Sequence, residues 1–301
     1  MYEAFHGFER APFANVPDTS FFFPSGHHTE ALAQLVHTVE ARRGFAVLTG
    51  EVGAGKTTIT RALFRKLAPS TVTAVITNSR LTGVQLLCAV AREFGIEDVA
   101  PNRVDLLDRI NRFLVDCLAK DRNVVLLVDE AQDLPLSTLE EIRLVSNLET
   151  ETEKLIQILL VGQPELRASI DHPSLRQLRQ RISFRYHLGP LTETQVGDYI
   201  RHRLRIAGPL GKAVFTDRAV EIIHRYSGGI PRVVNLACDK ALLVAFTEDT
   251  HRVDHKVVMS GLREIEGPQY VLPSKAESAS AASGTPRRTF LRLPFFGGRT
   301  H

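Results

Sequence analysis

The chain has 301 residues, of which 44% are hydrophobic and 24% are charged, so it has room for one large globular domain or two smaller ones. Its formal net charge of +3 permits contact with nucleic acid or anionic lipid but argues for neither. Because no apolar run approaches the roughly 20 residues that cross a bilayer, the composition also disfavours a membrane-spanning protein.

The first 43 residues predict an aromatic segment followed by a helix. Residues 1–25 carry many aromatic side chains, which we expect to pack on a core: Tyr2, Phe5, Phe8, Phe13, Phe21, Phe22 and Phe23. Residues 28–42 have apolar side chains at helical spacing. His27 and His28 precede this pattern without an acidic or cysteine partner at ligand spacing, so we interpret them as surface or N-cap histidines rather than metal ligands.

A strand, a glycine-rich loop and a helix come next. The apolar run 45–49 predicts a buried strand, and residues 58–67 predict an amphipathic helix. The octapeptide between them, GEVGAGKT, matches the P-loop pattern G-x-x-x-x-G-K-T. The residues that we expect to surround a nucleotide's phosphates are Gly50, Glu51, Val52, Gly53, Ala54, Gly55, Lys56, Thr57 and Thr58.

The pattern assigns a role to each part of this loop. Glycines allow the backbone to wrap closely around phosphate oxygens, and the N-terminus of the following helix favours negative charge. Lys56 would reach the β- and γ-phosphates, and the Thr57 hydroxyl would bind Mg²⁺. An ordinary glycine-rich turn is the alternative, but it does not explain why Lys and Thr follow the last Gly.

The next part of the chain alternates strands and helices, which predicts a parallel sheet covered on both faces. The predicted strands are 72–77, 124–128 and 155–161, and the predicted helices are 84–94, 106–118 and 137–147. Ser137 and Glu140 match a capping box at the start of the last helix.

Polar side chains follow two of these strands. Asp129 and Glu130 end the strand 124–128, where we expect Asp129 to hold Mg²⁺ and Glu130 to orient the attacking water. Gln163 ends the strand 155–161, and we expect it between Lys56 and Glu130, beside the γ-phosphate. The alternatives are an acid pair that caps the next helix and a solvated loop glutamine.

Arginines supply a further set of candidates. In 175–182, Leu175, Leu178 and Ile182 fall on one helical face and leave the arginines elsewhere. Arg181, or else Arg179, would reach a neighbouring subunit's γ-phosphate as an arginine finger, although a solvated basic face is the competing interpretation. Arg232 follows a proline that begins a helix, so it lies near a helix N-terminus, where we expect it to swing over bound nucleotide. A surface arginine in the capping region is the alternative.

After Pro190 the pattern becomes helical throughout. Thr192 and Gln195 form a second capping box, and helices are predicted at 193–207, 216–227, 231–247 and 254–265. We therefore divide the chain into an α/β P-loop domain at 1–190, including the 1–43 segment, and a small all-helical lid domain at 191–266.

Residues 267–301 form the third predicted region, a disordered basic tail. The tail has a net charge of +4, which leaves −1 for the rest of the chain, and phenylalanines are interleaved with its arginines. Such a tail would dock on anionic lipid or in a partner's groove, although an extension with no role is the alternative.

The motifs together give a resemblance that covers about residues 1–266. They are Tyr2-x-x-Phe5-x-Gly7-Phe8 with Pro12-Phe13, the P-loop with residues 44–49, Asp129-Glu130-Ala131-Gln132, Arg143-Leu144-x-Ser146-Asn147-Leu148-Glu149, Val161-Gly162-Gln163-Pro164-Glu165-Leu166, residues 175–181 and Gly229-Ile230-Pro231-Arg232. On these residues the chain resembles a AAA+ ATPase of the general secretion pathway protein A family. This family includes the ATPases encoded beside pilus and exosortase export systems. The chain departs from the family pattern at two positions. His6 stands where the family usually has an aromatic residue, and Asp133 stands where it usually has Asn or His.

The resemblance implies ATP hydrolysis coupled to self-assembly, with Pro12 and Phe13 near the adenine. It favours a protein that energises or regulates an export or cell-surface machine, with an export-machinery protein as partner. The alternatives are a transposition-type regulator that assembles on DNA, against which the mild charge weighs, and a nucleotide-switch scaffold with little turnover. The three scattered cysteines and the absence of a signal-peptide pattern predict a cytoplasmic location, with peripheral membrane contact through the tail.

Overall fold

A five-stranded parallel sheet forms the centre of the first two thirds of the chain. The computed structural model describes residues 1–16, 18–78, 80–97, 102–150, 153–208 and 211–272. The strands are β1 (Phe45–Gly50), β2 (Val72–Ile76), β3 (Val124–Val128), β4 (Gln157–Gly162) and β5 (Ile182–Leu188). Their order is β2-β3-β4-β1-β5, which places β4 between the strand that precedes the P-loop and the strand that precedes Asp129.

Helices cover both faces of this sheet, as the sequence predicts. They are α2 (Gly26–Glu40), α3 (Lys56–Lys66), α4 (Gly83–Glu93), α5 (Arg103–Ala119), α6 (Leu136–Val145), α7 (Glu165–Ile170) and α8 (Arg176–Arg181), after a short N-terminal α1 (Tyr2–His6). Successive strand residues face opposite cores: Leu126 packs with the residues of α4, α5 and α6, whereas Leu127 packs with those of α2 and α3. The continuous apolar strands are therefore explained by burial on both faces.

A helical lid follows the sheet domain. Its helices are α9 (Glu193–Ala207), α10 (Asp217–Ser227), α11 (Pro231–Thr247) and α12 (His255–Glu266), and the predicted capping box of Thr192 and Gln195 is present at the start of α9. The expectation of an all-helical lid is wrong in one detail, because two-residue strands β6 (Val214–Phe215) and β7 (Arg252–Val253) pair in parallel. This pairing could not be predicted from the sequence, because two residues are too few to show the two-residue period of a strand.

The N-terminal aromatic segment packs mainly on the lid, although Phe22 packs on the core of the sheet domain. Phe8, Phe13 and Phe21 are buried in the same core as the lid helices. Backbone bonds reinforce the contact, since Glu9 N–H donates to Ala207 O at 2.9 Å and Lys212 N–H donates to His6 O at 2.8 Å. The segment then continues into α2 of the sheet domain, so it connects the lid to the sheet domain.

Two local predictions are wrong. Ser137 and Glu140 form no capping box, because Pro135 is the N-cap residue of α6 and the Glu140 carboxylate pairs with Arg143 instead. Ile182 does not extend the helical face of Leu175 and Leu178, since it begins β5. Of the predicted tail, residues 273–301 lie outside the described residues.

Candidate nucleotide-binding site

The P-loop is a tight turn between β1 and α3. Gly53 and Gly55 have φ values of 83° and 103°, in the left-handed region that glycine adopts without strain. A Cβ atom at Gly50 would lie only 2.9 Å from the carbonyl oxygen of Leu188, so the loop also needs glycine where it leaves the sheet. Helix α3 begins at Lys56, so its N-terminus faces the space that the loop encloses.

Lys56 is held inside this loop. Its side chain is buried, and Nζ donates to the carbonyl oxygens of Gly50 at 2.7 Å and of Glu51 at 3.1 Å. Burial lowers the pKa of Lys56, while the carboxylates of Glu130 and Asp129 oppose that shift. The cation and the two predicted carboxylates are thus brought together in one electrostatic environment.

His28 of α2 contacts the P-loop, and this contact was not predicted from the sequence. Its Nδ1 lies 2.6 Å from Ser25 Oγ and its Nε2 lies 3.1 Å from the carbonyl oxygen of Ala54. The interpretation of His28 as a surface or N-cap residue is wrong, because Ser25 is the N-cap residue of α2 and His28 is only 6% exposed. Burial lowers its pKa, which favours the neutral ring.

Asp129 and Glu130 stand at the carboxyl end of β3, as predicted. Glu130 N–H donates to Asp129 Oδ1 at 3.0 Å, and Asp129 N–H donates to Ile76 O at 2.9 Å. Burial raises the pKa of Asp129, while the bond from the Glu130 N–H and the nearby Lys56 lower it. Glu130 has a φ of 49°, a left-handed conformation that is uncommon for a residue other than glycine.

Two amide side chains meet the Glu130 carboxylate. Gln132 Nε2 donates to Glu130 Oε2 at 2.8 Å, and Gln163 Nε2 lies 3.4 Å from the same oxygen. Gln163 follows β4, which lies between β3 and β1, but it does not line the cavity described below, so its place beside a γ-phosphate stays a prediction. Gln132 belongs to a motif that carries the resemblance, but its spacing alone gave it no role.

A cavity of about 350 Å³ joins these groups to the lid. Lys56, Thr57 and Glu130 line it from the sheet domain, and Arg232 and Asn235 line it from α11. The structure thus brings Arg232 to the P-loop, as the sequence predicted for a residue near bound nucleotide.

Pro12 and Phe13 do not line this cavity, whose N-terminal wall begins at Ala14. Phe13 is 2% exposed and packs edge-to-face against Phe215 in the lid core. Arg203 fixes the segment, because its Nε donates to Pro12 O at 2.5 Å and its Nη2 donates to Ala14 O at 3.1 Å. The cavity lining therefore gives no support to the expected contact of Pro12 and Phe13 with adenine.

The two candidate finger residues lie away from this cavity, on α8. Arg181 Nη1 donates to Ser146 O at 3.2 Å and lies 3.9 Å from a carboxylate oxygen of Glu149. Arg179 is exposed. Neither lines the cavity of its own chain, which a residue acting on a neighbouring subunit does not need to do.

The donor set fits a magnesium nucleotide. The volume is in the ordinary range of ligand sites, and Gly53 and Gly55 of the loop line the cavity with backbone atoms alone. For a bound Mg²⁺, the Thr57 hydroxyl and the Asp129 carboxylate would be the hard oxygen ligands, and of these two residues only Thr57 lines the cavity. Among the described residues, no cluster of three His, Cys, Asp or Glu side chains could hold a metal by itself, and no helix is long and apolar enough to cross a membrane.

Comparisons with known proteins agree with this geometry. A family described as an AAA domain matches residues 39–170. Over 268 residues the chain is 43% identical to general secretion pathway protein A of Aeromonas hydrophila, covering 89% of this chain and 49% of that protein. The chain thus spans about half the length of this curated relative.

Solved structures show the same fold at low sequence identity. The Aeropyrum pernix ORC2 protein has a TM-score of 0.63 at 17% identity, covering 88% of this chain and 74% of that one. The Aeropyrum pernix ORC1 protein in complex with DNA has a TM-score of 0.62 at 17% identity, covering 87% and 70%. At this identity the likeness concerns the fold alone.

Proposed function

Because the chain belongs to the AAA+ family of P-loop ATPases and is related to general secretion pathway protein A, we propose that it binds ATP with Mg²⁺ and hydrolyses it to ADP and phosphate. One observation carries the proposal. Glu130, a carboxylate at a strand end, shares a single cavity with Lys56 and Thr57 of the P-loop and with Arg232 of the lid. Binding groups and a candidate base therefore face the same space.

The P-loop does the binding. Its backbone and the α3 N-terminus surround the phosphates, and Lys56 contributes the positive charge. Thr57 and Asp129 hold Mg²⁺, which supplies charge neutralisation at the phosphate oxygens. His28 contacts the Ala54 carbonyl oxygen and Leu188 lies close to Gly50, so both residues support the loop backbone.

Glu130 and Gln163 do the positioning for hydrolysis. The Glu130 carboxylate orients a water molecule in line with the phosphorus, and the Gln163 amide lies beside it at the next strand end. Arg232 reaches the phosphates from the lid, so that the lid senses which nucleotide is bound. Arg181, or else Arg179, completes the site of a neighbouring subunit in a ring or filament.

We assign this activity to the assembly or regulation of a secretion, export or cell-surface machine. The protein would act from the cytoplasm, with an export-machinery protein as its partner. The 43% identity to a protein named for the general secretion pathway supports this pathway over a DNA-transposition regulator. A nucleotide switch that scarcely turns over is less well supported, because the chain carries both strand-end acids and candidate arginine fingers.

Phosphate release tests the activity. The wild-type protein should release phosphate from ATP only with Mg²⁺, Lys56→Ala should lose nucleotide binding, and Glu130→Gln should bind ATP without turnover. Full binding by Lys56→Ala would overturn the assigned site. Wild-type rates in Glu130→Gln would overturn the role of that carboxylate, and a rate in every variant no faster than buffer would favour the switch.

A further inference from the structure

Gln132 links the ends of two strands at the candidate site. It lies in the single helical turn of residues 131–133, just after Glu130. Its Nε2 donates to Glu130 Oε2 at 2.8 Å, and its Oε1 accepts the backbone N–H of Gln163 at 2.9 Å. One carboxamide therefore connects the end of β3 to the end of β4.

The second bond fixes which way this amide points. A backbone N–H can only donate, so the atom of Gln132 that faces Gln163 must be the oxygen. The amide nitrogen is then directed at the Glu130 carboxylate, where it donates to a charged acceptor. Both amide contacts of Glu130 fall on Oε2, and the described part of the chain gives Oε1 no hydrogen-bond partner.

Gly162 makes the space for this side chain. A Cβ atom at position 162 would lie 2.7 Å from Gln132 Oε1 and 3.0 Å from Leu166 Cδ2. The φ of Gly162 is not in the left-handed region, so its backbone conformation does not require glycine. Close approach of the Gln132 carboxamide is what requires a residue without a side chain here.

The backbone conformation of Glu130 is an uncommon one that its contacts have to hold in place. With a φ of 49°, Glu130 occupies a region that is unfavourable for a non-glycine residue and that persists only when its surroundings hold it there. Within the described residues, the Asp129 carboxylate holds its backbone, and Gln132 and Gln163 hold its side chain.

We propose that Gln132 is a positioning residue for ATP hydrolysis, which sets the Glu130 carboxylate by tying it to the backbone at Gln163. This inference rests on the proposed function and adds to it a residue that does not touch the nucleotide. Gln132 acts on the base and not on the phosphates, so its loss lowers kcat and leaves ATP binding intact.

Two substitutions remove the link by different routes. Gln132→Met keeps the length of the side chain and removes both hydrogen bonds. Gly162→Ala keeps Gln132 and displaces its carboxamide from the end of β4. Each should lower kcat about ten- to a hundredfold, the loss expected for a hydrogen bond to a charged group, with KM and the dissociation constant of a fluorescent ATP analogue within about twofold of wild type.

Matched controls separate this effect from a general loss of packing. Gln34→Met changes an exposed glutamine of α2, and Gly189→Ala adds a methyl group just after β5, where no atom lies within 4 Å of the new Cβ. Both should keep wild-type kcat. In the Gln132→Met background, Gly162→Ala should cost little more, because the carboxamide that it displaces is already gone.

Several outcomes would overturn the proposal. They are wild-type kcat in Gln132→Met, a further tenfold loss when Gln132→Met is added to Glu130→Ala, and weaker ATP binding that accounts for the whole loss. If the folded wild-type protein hydrolyses no ATP, the proposed function fails instead. Thermal unfolding of every variant identifies any that do not fold, and a Gln132→Met that does not fold leaves the decision to Gly162→Ala.

Discussion

The backbone N–H of Arg232 donates to the carbonyl oxygen of Gly53 at 3.3 Å, so the lid contacts the P-loop directly. A Cβ atom at Gly53 would come within 2.4 Å of the Arg232 Cβ. The two residues are therefore packed as closely as a glycine allows. A movement of the loop on nucleotide binding would displace the start of α11.

Replacement of Arg232 tests this connection. Arg232→Ala should weaken ATP binding by about tenfold and ADP binding much less, because a guanidinium that reaches the γ-phosphate contributes a charge-assisted hydrogen bond only to ATP. Titration of both nucleotides measures the difference, with Arg232→Lys as the variant that keeps the charge. Equal weakening for the two nucleotides would show that Arg232 supports the lid and does not read the γ-phosphate.

Hydrolysis should depend on self-assembly. An arginine finger contributes about 10³- to 10⁵-fold in phosphoryl transfer, so activity per subunit should rise with protein concentration. Mixing Arg181→Ala with Lys56→Ala subunits should restore some activity, because the second chain offers Arg181 to the intact P-loop of the first. If no ratio restores activity, the same mixture with Arg179→Ala in place of Arg181→Ala decides between Arg179 and no finger.

The sequence predicted the parts of this site that are local in the chain. The strand, loop and helix at 45–66 and the acids after β3 depend on neighbouring residues, and the structure places them as expected. Parallel pairing of the strands also followed, because continuous apolar runs are buried on both faces. Strand β5 was not predicted, since several of its residues are polar and only Leu188 is buried, so it has no continuous apolar run.

Contacts between distant residues could not be predicted. His28 reaches Ala54 across 26 positions and Gln132 reaches Gln163 across 31. Neither pair has a local period or a motif that reports the contact, so only the fold shows it. Phe13 illustrates the same limit, because the resemblance implied a place near the adenine and the residue proved to be part of the lid core.

The buried imidazole of His28 should make stability depend on pH. Burial lowers its pKa below the value of about 6.5 that it has in the unfolded chain, so the unfolded state binds more protons in acid. Its contribution is complete above about pH 6.5 and is lost as pH falls from there through the folded pKa. The substitution His28→Gln should cost about 1–3 kcal/mol at pH 7.5, and its difference from wild type should shrink in acid.

Urea unfolding of the two proteins between pH 5 and pH 8 measures this difference. His27→Gln is the matched control, because His27 is the exposed neighbour on the same helix, and surface substitutions usually change stability by less than about 0.5 kcal/mol. A wild-type advantage over His28→Gln that stays constant across the range would contradict a titrating role.

Truncation separates the lid from the tail. Tyr270 packs edge-to-face against Tyr226, and Leu272 packs on the lid core, so residues 268–272 belong to the lid. Deleting 273–301 should leave ATP hydrolysis unchanged and abolish sedimentation with anionic liposomes, whereas deleting 268–301 should also lower the melting temperature. Liposome binding that survives the shorter deletion would leave a protein partner as the only role for the basic tail.

The nucleotide that remains bound to Glu130→Gln tests the central claim most directly. Wild-type protein and this variant are incubated with Mg²⁺ and ATP labelled at the α-phosphate, separated from free nucleotide and analysed by chromatography. Because Lys56 and Thr57 are intact in both proteins, we predict mainly ADP on the wild type and mainly unhydrolysed ATP on the variant. The same ADP fraction on both proteins would contradict the assignment of Glu130 as the residue that activates water.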